Sequence, residues 1–197
     1  MKQHVRIVLV CACLASALPA RAYADSMLTP FLGVNFGGAT GEKFSDATSG
    51  NRRFDFGFSA TQMSGGIFGA EADFGYTSQF YGPASAYDAT RVITAMGNLV
   101  IGIPVGGQSG LGVRPYVLAG VGLIRRTASG LAGTPDVSEN DLGYDIGGGV
   151  MIFFANHVGL RGDLRYFRNF QASLAPPDIT KGTFNFSRAA AGLVLRF

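Results

Sequence analysis

The sequence predicts an all-β chain: an eight-stranded, antiparallel, up-and-down barrel that crosses a membrane. Three observations predict it. After the first two dozen residues, hydrophobicity alternates with a period of two almost everywhere, as strands require. In several of these segments one face is large and apolar, while the other is built of glycine and full charges. The connectors alternate between short and long, as in barrels that present turns on one side of a membrane and loops on the other.

The first 24 residues stand apart. Lys2 and Arg6 give a positive start, Val5 to Leu18 is an apolar run, Pro19 ends it, and Ala22-Tyr23-Ala24 offers a small-x-small cleavage site before Asp25. This is the layout of a secretory signal peptide, and the apolar run is too short to span a bilayer as a helix. The expected organisation is a signal peptide over 1–24 and one barrel domain over 25–197. A lipoprotein reading through Cys13 is disfavoured, because Val10-Cys11-Ala12 is a poor acylation motif. Removing the leader takes three of the sixteen basic residues and none of the thirteen acids, so thirteen of each remain. The basic balance belongs to the leader, and nothing in the mature charge calls for nucleic acid. Both cysteines, Cys11 and Cys13, leave with it, so the mature chain can form neither a disulfide nor a thiolate metal site. All 29 glycines stay.

The expected strands cover about 27–38, 54–64, 67–78, 89–103, 113–126, 141–154, 158–169 and 183–197. In the second, Phe54, Phe56, Phe58 and Ala60 share one face, with Asp55, Gly57, Ser59 and Thr61 on the other. The third sets Phe68, Ala70, Ala72, Phe74 and Tyr76 against Gly69, Glu71, Asp73 and Gly75. In the sixth, Leu142, Tyr144 and Ile146 alternate with Gly143, Asp145 and Gly147. The seventh places Leu160, Gly162, Leu164 and Tyr166 opposite Arg161, Asp163 and Arg165. Ser64-Gly65-Gly66 and Ala155-Asn156-His157 are short turns, and Pro104 to Gly112 is a longer glycine-rich one. The stretches 39–53, 79–88, 127–140 and 170–182 read as exposed loops. They carry Glu42, Asp46, Arg52, Arg53, Asp88, Asp136, Glu139, Asp178 and Lys181, a mixture of signs that names no extracellular ligand.

Glycine decides between a soluble sandwich and a membrane barrel. A solvated face has no reason to be small, but the wall of a narrow lumen does, because side chains compete there for space. The apolar face then meets lipid, and in lipid a sheet must close on itself to satisfy its backbone. Each segment supplies the roughly 9–11 residues that a tilted strand needs to cross. Aromatics fall as two belts: Phe68, Phe154 and Phe197 toward the turns, and Phe36, Phe54, Phe74, Tyr76, Tyr144 and Tyr166 toward the loops. Parity puts Phe184 and Phe186 on the inward face, and Pro30 and Pro115 sit within strands, where each removes a ladder donor.

The chain ends Ala189-Ala190-Ala191-Gly192-Leu193-Val194-Leu195-Arg196-Phe197, with Leu193, Leu195 and Phe197 on one face. This resembles the terminal-strand signal read by the outer-membrane barrel assembly machinery. Together with Arg114-Pro115-Tyr116-Val117-Leu118-Ala119-Gly120-Val121-Gly122 and the strand from Val158 to Tyr166, it is similar to the small bacterial outer-membrane β-barrel family. The relatives are the eight-stranded barrels like the transmembrane domain of outer-membrane protein A and outer-membrane protein X. The resemblance covers essentially the whole mature chain. It implies residence in the outer membrane of a double-membraned bacterium, in contact with its lipids and lipopolysaccharide.

The candidate site is an interior charge network of Asp55, Glu71, Asp73, Asp145, Arg161, Asp163, Arg165 and Arg188. Glu71 and Arg161 stand at similar heights on opposite walls and are expected to meet across the lumen. Asp55, Asp145, Arg165 and Arg188 are expected as a second layer nearer the loops. Near balance of sign is the expected solution, since an unpaired buried charge costs several kcal/mol. No catalytic, cofactor or metal residues are expected. His157, the one histidine of the mature chain, lies in a turn with no serine placed to serve it, and Glu71 with Asp73 does not make a glycosidase pair. The favoured role is structural or adhesive through the loops, the alternative is a narrow pore, and a lipid A hydrolase comes third.

Overall fold

A computed structural model describes residues 24–37, 53–78, 89–106, 110–129, 137–170 and 184–197. The expected leader falls outside these except for Ala24, and so do most of the expected loops.

Eight strands form a closed barrel in sequence order, every neighbouring pair antiparallel. They are β1 (Ala24–Phe36), β2 (Arg53–Ser64), β3 (Phe68–Ser78), β4 (Ala89–Gly102), β5 (Gly112–Ser129), β6 (Val137–Phe153), β7 (Val158–Asn169) and β8 (Asn185–Arg196). Closure is made by β1 against β8. Between β2 and β3, Gly65 and Gly66 both take positive φ (58° and 73°), and Ile67 N–H donates to the Ser64 carbonyl at 3.3 Å. Two consecutive positive φ values define the turn whose twist suits a hairpin, which is why two glycines stand there.

The alternation sorts side chains as expected. Leu32 and Leu99 are 71% and 74% exposed on the outer face, and Phe54, Phe56, Phe58, Phe68, Leu142, Ile146, Leu160 and Leu164 share that face. Phe58 stacks on Phe74 at 5.7 Å, and Phe56 meets Tyr76 at 5.1 Å with the rings tilted, both cross-strand pairs in register. At the turn end Phe68, Phe154 and Phe197 are exposed. Phe36, Tyr76, Tyr144 and Tyr166 are half-buried instead of standing free. Tyr76 leans on Phe56, and Tyr144 lies 5.5 Å from Phe170.

Two expectations need correction. The hairpin of β5 and β6 is longer than the alternation indicates, with strands of 18 and 17 residues that consume both ends of the expected loop 127–140. Cross-strand polar pairs extend it: Arg126 holds Glu139 and Asp141, each at 2.7 Å, and Arg125 Nε donates to Ser138 Oγ at 3.2 Å. Ser138 and Glu139 read as loop, yet opposite charges facing across a ladder stabilise strands. Arg53, expected in an exposed loop, is the first residue of β2, points inward and is 7% exposed.

Pro30 acts where the barrel closes. Ser26 accepts from Phe197 N–H at 2.9 Å, so the even-numbered backbone groups of β1 face β8. The donor that Pro30 lacks is therefore missing from the closing seam. Pairing there runs Met27–Arg196 and Leu28–Leu195 and resumes only at Phe31–Gly192. Pro115, by contrast, lies near the turn end of β5, where its carbonyl still accepts from Ile103 N–H at 2.9 Å.

Candidate functional site: the filled lumen

Inward positions of the eight strands carry three tiers of side chains. Nearest the turns is an apolar tier of Met27, Met63, Val100, Tyr116, Leu118, Met151, Phe153 and Val194. Nearest the loops is a second one of Val92, Met96, Ile124, Phe167, Phe184 and Phe186, in which Phe167 and Phe186 stack at 4.8 Å and 7°. The main charge network lies between. Apolar tiers were not expected, and their omission has a physical cause. On β4 and β5 both faces are apolar, so parity alone cannot say that Val92, Met96, Val100, Leu118 and Ile124 turn inward.

The charged tier contains all eight expected residues. Arg161 Nη1 meets Glu71 Oε2 at 2.5 Å, so the pair joins across the lumen. Arg161 Nε also donates to the Tyr116 hydroxyl at 2.6 Å and lies 3.0 Å from Asp163. Arg188 donates to Asp73 at 2.8 Å and Asp55 at 3.3 Å, making the layer nearer the loops. Arg165 is the bridge between the layers. It touches Glu71 at 2.9 Å, Asp73 and Asp163 at 3.3 Å, and Asp145 at 3.6 Å. The two layers are thus one network rather than two. Thr61 donates to Glu71 at 2.8 Å and Thr77 to Asp55 at 3.0 Å, using lone pairs the arginines leave open.

Five carboxylates here share three guanidiniums, so balance is not struck inside the tier. Further cations stand toward the two ends of the lumen. Arg53, Arg114 and Arg196 are also buried, and Arg114 pairs with Asp25 at 2.9 Å near the turns. Sequence reasoning missed these ends. The inward parity of Arg114 was hidden by the apolar character of both faces of β5, and Asp25 stands immediately after the expected cleavage site. Aromatic faces support the guanidiniums. Arg188 lies 4.5 Å from the Phe31 ring centroid and 5.0 Å from Phe167, and Arg161 lies 4.7 Å from Tyr116.

Glycine makes the network possible. A Cβ on Gly75 would stand 2.7 Å from Arg188 Nη1 and from Thr94 Oγ1. One on Gly149 would stand 2.7 Å from the Tyr116 hydroxyl, and one on Gly147 2.9 Å from Arg165 Cγ. Each inward glycine is the space another strand's side chain occupies.

His157 sits in the turn between β6 and β7. Its Nδ1 is 2.9 Å from the Arg196 carbonyl, while Arg196 Nε donates to the Asn156 carbonyl at 2.6 Å. The ring ties a turn to the last strand. Of the serines nearest to it in sequence, Ser138 lies on the loop-side end of β6 and Ser173 is outside the described residues. Among the described residues, no group of three or more His, Cys, Asp or Glu is arranged to hold a metal.

A closed eight-stranded barrel with an apolar outer wall and a filled, charged lumen defines an integral membrane barrel. The chain belongs to the outer membrane protein beta-barrel domain family, whose model matches residues 10–197. It resides in the outer membrane. Its fold is similar to that of the N-terminal β-barrel domain of Pseudomonas aeruginosa OprF (13% identity, TM-score 0.58, 88% of this chain and 97% of that one). It is also similar to Neisserial surface protein A (14%, 0.60, 88% and 97%). A third similar structure is Ail, the attachment invasion locus protein of Yersinia pestis, in complex with the heparin analogue sucrose octasulfate (13%, 0.57, 88% and 99%). No curated protein matches the sequence.

Proposed function

We propose that this protein is a plugged outer-membrane scaffold, whose barrel anchors and displays its loops for a structural or adhesive role and does not conduct. The observation that carries this is the three-tier lumen. An ion would have to pass two apolar layers and a crosslinked charge network. An eight-stranded ring is just wide enough to be filled by side chains, and here it is filled. The neighbour Ail, an attachment protein by name, has a comparable frame, although at 13% identity the likeness is one of fold. Leu193, Leu195 and Phe197 on the outer side of β8 are the proposed stretch read by the assembly machinery, and the proposed surroundings are outer-membrane lipids and lipopolysaccharide. Cleavage after Ala24 is part of the same proposal.

A narrow, gated ion path is the second reading. What favours it is that Glu71 already touches both Arg161 and Arg165, so an exchange of partners needs little motion. Planar-bilayer recording of the refolded protein decides. Silence, with the heat-dependent gel shift of a folded barrel, supports the plug. Steady openings overturn it in favour of the pore.

A further inference from the structure

The hairpin that joins β4 to β5 differs from the other two turns on its side of the barrel. Gly102 N–H donates to the Ile67 carbonyl at 2.7 Å, so Ile67, which closes the β2–β3 turn, is level with Gly102, and the tip glycine Gly66 lies beside Pro104, where an added Cβ would stand 3.6 Å from Pro104 Cγ. The β4–β5 ladder does not stop there. Val105 and Val113 exchange both backbone hydrogen bonds at 2.8 and 2.9 Å, three residues further out. At about 3.4 Å per residue and a tilt near 45°, that rung lies roughly 7 Å beyond Ile67, the last apolar side chain of the β2–β3 turn.

Its side chains do not suit water. Ile103, Val105, Leu111 and Val113 are 65, 55, 73 and 42% exposed and share the outer face with Ile101 and Val117 above them. From Gly102 to Val113 there is no charged residue. Arg114, the next cation, turns inward to Asp25. The β6–β7 turn, by comparison, shows Asn156 and His157. The apolar wall of the barrel is therefore continuous down the hairpin, and on this flank it is taller than at the β2–β3 turn.

We propose that the β4–β5 hairpin is embedded in the membrane leaflet on the turn side, with lipid as its occupant, and that it fixes the tilt of the barrel by sinking the β4–β5 flank deeper than the flank of β2–β3. The inference rests on the transmembrane reading of the barrel. Continuity with the lipid-facing wall selects lipid over a protein partner, since no polar rim separates Val105 and Leu111 from Ile101 and Val117.

The test uses the full chain with Cys11→Ser and Cys13→Ser, which removes every native thiol. Single cysteines at Val105, Leu111, Leu99 and Asn156 carry an environment-sensitive fluorophore, in phosphatidylcholine vesicles with or without spin-labelled lipid. Leu99 is the lipid reference, and Asn156 is the water reference. Expected is emission at Val105 and Leu111 shifted to the blue by 10 nm or more relative to Asn156, quenching by spin-labelled lipid at least half that at Leu99, and protection from iodide. Iodide quenching equal to that at Asn156 overturns the proposal. So does protection from both quenchers, or protection that fades on dilution of protein in lipid, because then another protein covers the hairpin. Failure of Leu99 itself to be quenched by lipid would sink the membrane reading instead, which keeps the two failures apart.

Discussion

Replacing Glu71 by Gln tests whether the ion network stabilises the barrel. Glu71 touches two guanidiniums, at 2.5 Å to Arg161 and 2.9 Å to Arg165, and it also accepts from Thr61 at 2.8 Å. Breaking a buried pair by removing one partner costs about 3–5 kcal/mol, because the remaining charge is left uncompensated. Here Arg161 keeps Asp163 at 3.0 Å, and Arg165 keeps Asp163 and Asp73 at 3.3 Å, so the lower end, about 3 kcal/mol, is expected. Asp145 is the internal control. Its one ion-pair contact is 3.6 Å, and the tier already holds more carboxylates than guanidiniums, so Asp145→Asn should cost under about 1 kcal/mol. Urea titration in detergent, with folded fraction read by the heat-dependent gel shift, measures both. Equal costs at Glu71 and Asp145, or a loss at Glu71 below about 1 kcal/mol, would refute the network as the source of stability.

Two further substitutions test the geometry of the wall. Gly149→Ala should destabilise by about 1–3 kcal/mol, since its Cβ would overlap the Gly162 carbonyl and crowd Tyr116, whereas Gly162→Ala on the outer face meets nothing within 4 Å and should stay within about 0.5 kcal/mol, both read by the same titration. Pro30→Val restores a donor to the closing seam. The gain of about 0.5–1.5 kcal/mol is offset by lost prolyl stiffness of about 0.4–1 kcal/mol, so the readout is local: amide exchange at Leu193 should slow while global stability changes little.

Most of the fold was legible because lipid and lumen impose opposite chemistry on alternate residues. On β2, β3, β6 and β7 the two faces differ sharply, and Asp55, Glu71, Asp73, Asp145, Arg161, Asp163 and Arg165 could be placed inward by parity alone. Phe184 and Phe186 were also placed correctly by parity, against the intuition that phenylalanine faces lipid. Legibility failed where both faces carry similar residues. On β4 and β5 the inward valines and methionines look like the outward ones, so the apolar tiers stayed hidden. It failed again where polar residues extend a strand past the apolar wall, as at Thr127, Ser138 and Glu139, because there the rule of one greasy face no longer applies. Which charges bond was legible only in part. Opposite walls could be inferred for Glu71 and Arg161, but the bridging role of Arg165 depends on side-chain reach across the lumen.

The tiers also bear on conduction. If a single ion pair were the gate, Arg161→Ala should open the lumen, because it removes the guanidinium that spans from β7 to Glu71 on β3. In the filled lumen it should not. Phe153, Met63 and Met151 still close the turn end, and the stacked Phe167 and Phe186 close the loop end. Apolar constrictions exclude ions by dewetting, so either tier alone suffices. Arg161→Ala is therefore expected to be silent in planar bilayers yet less stable to urea. Phe167→Ala with Phe186→Ala should likewise be silent, because the charged and turn-side tiers remain. Current through either variant would mean that fewer barriers operate than the packing implies, and the plugged scaffold would give way to a gated channel.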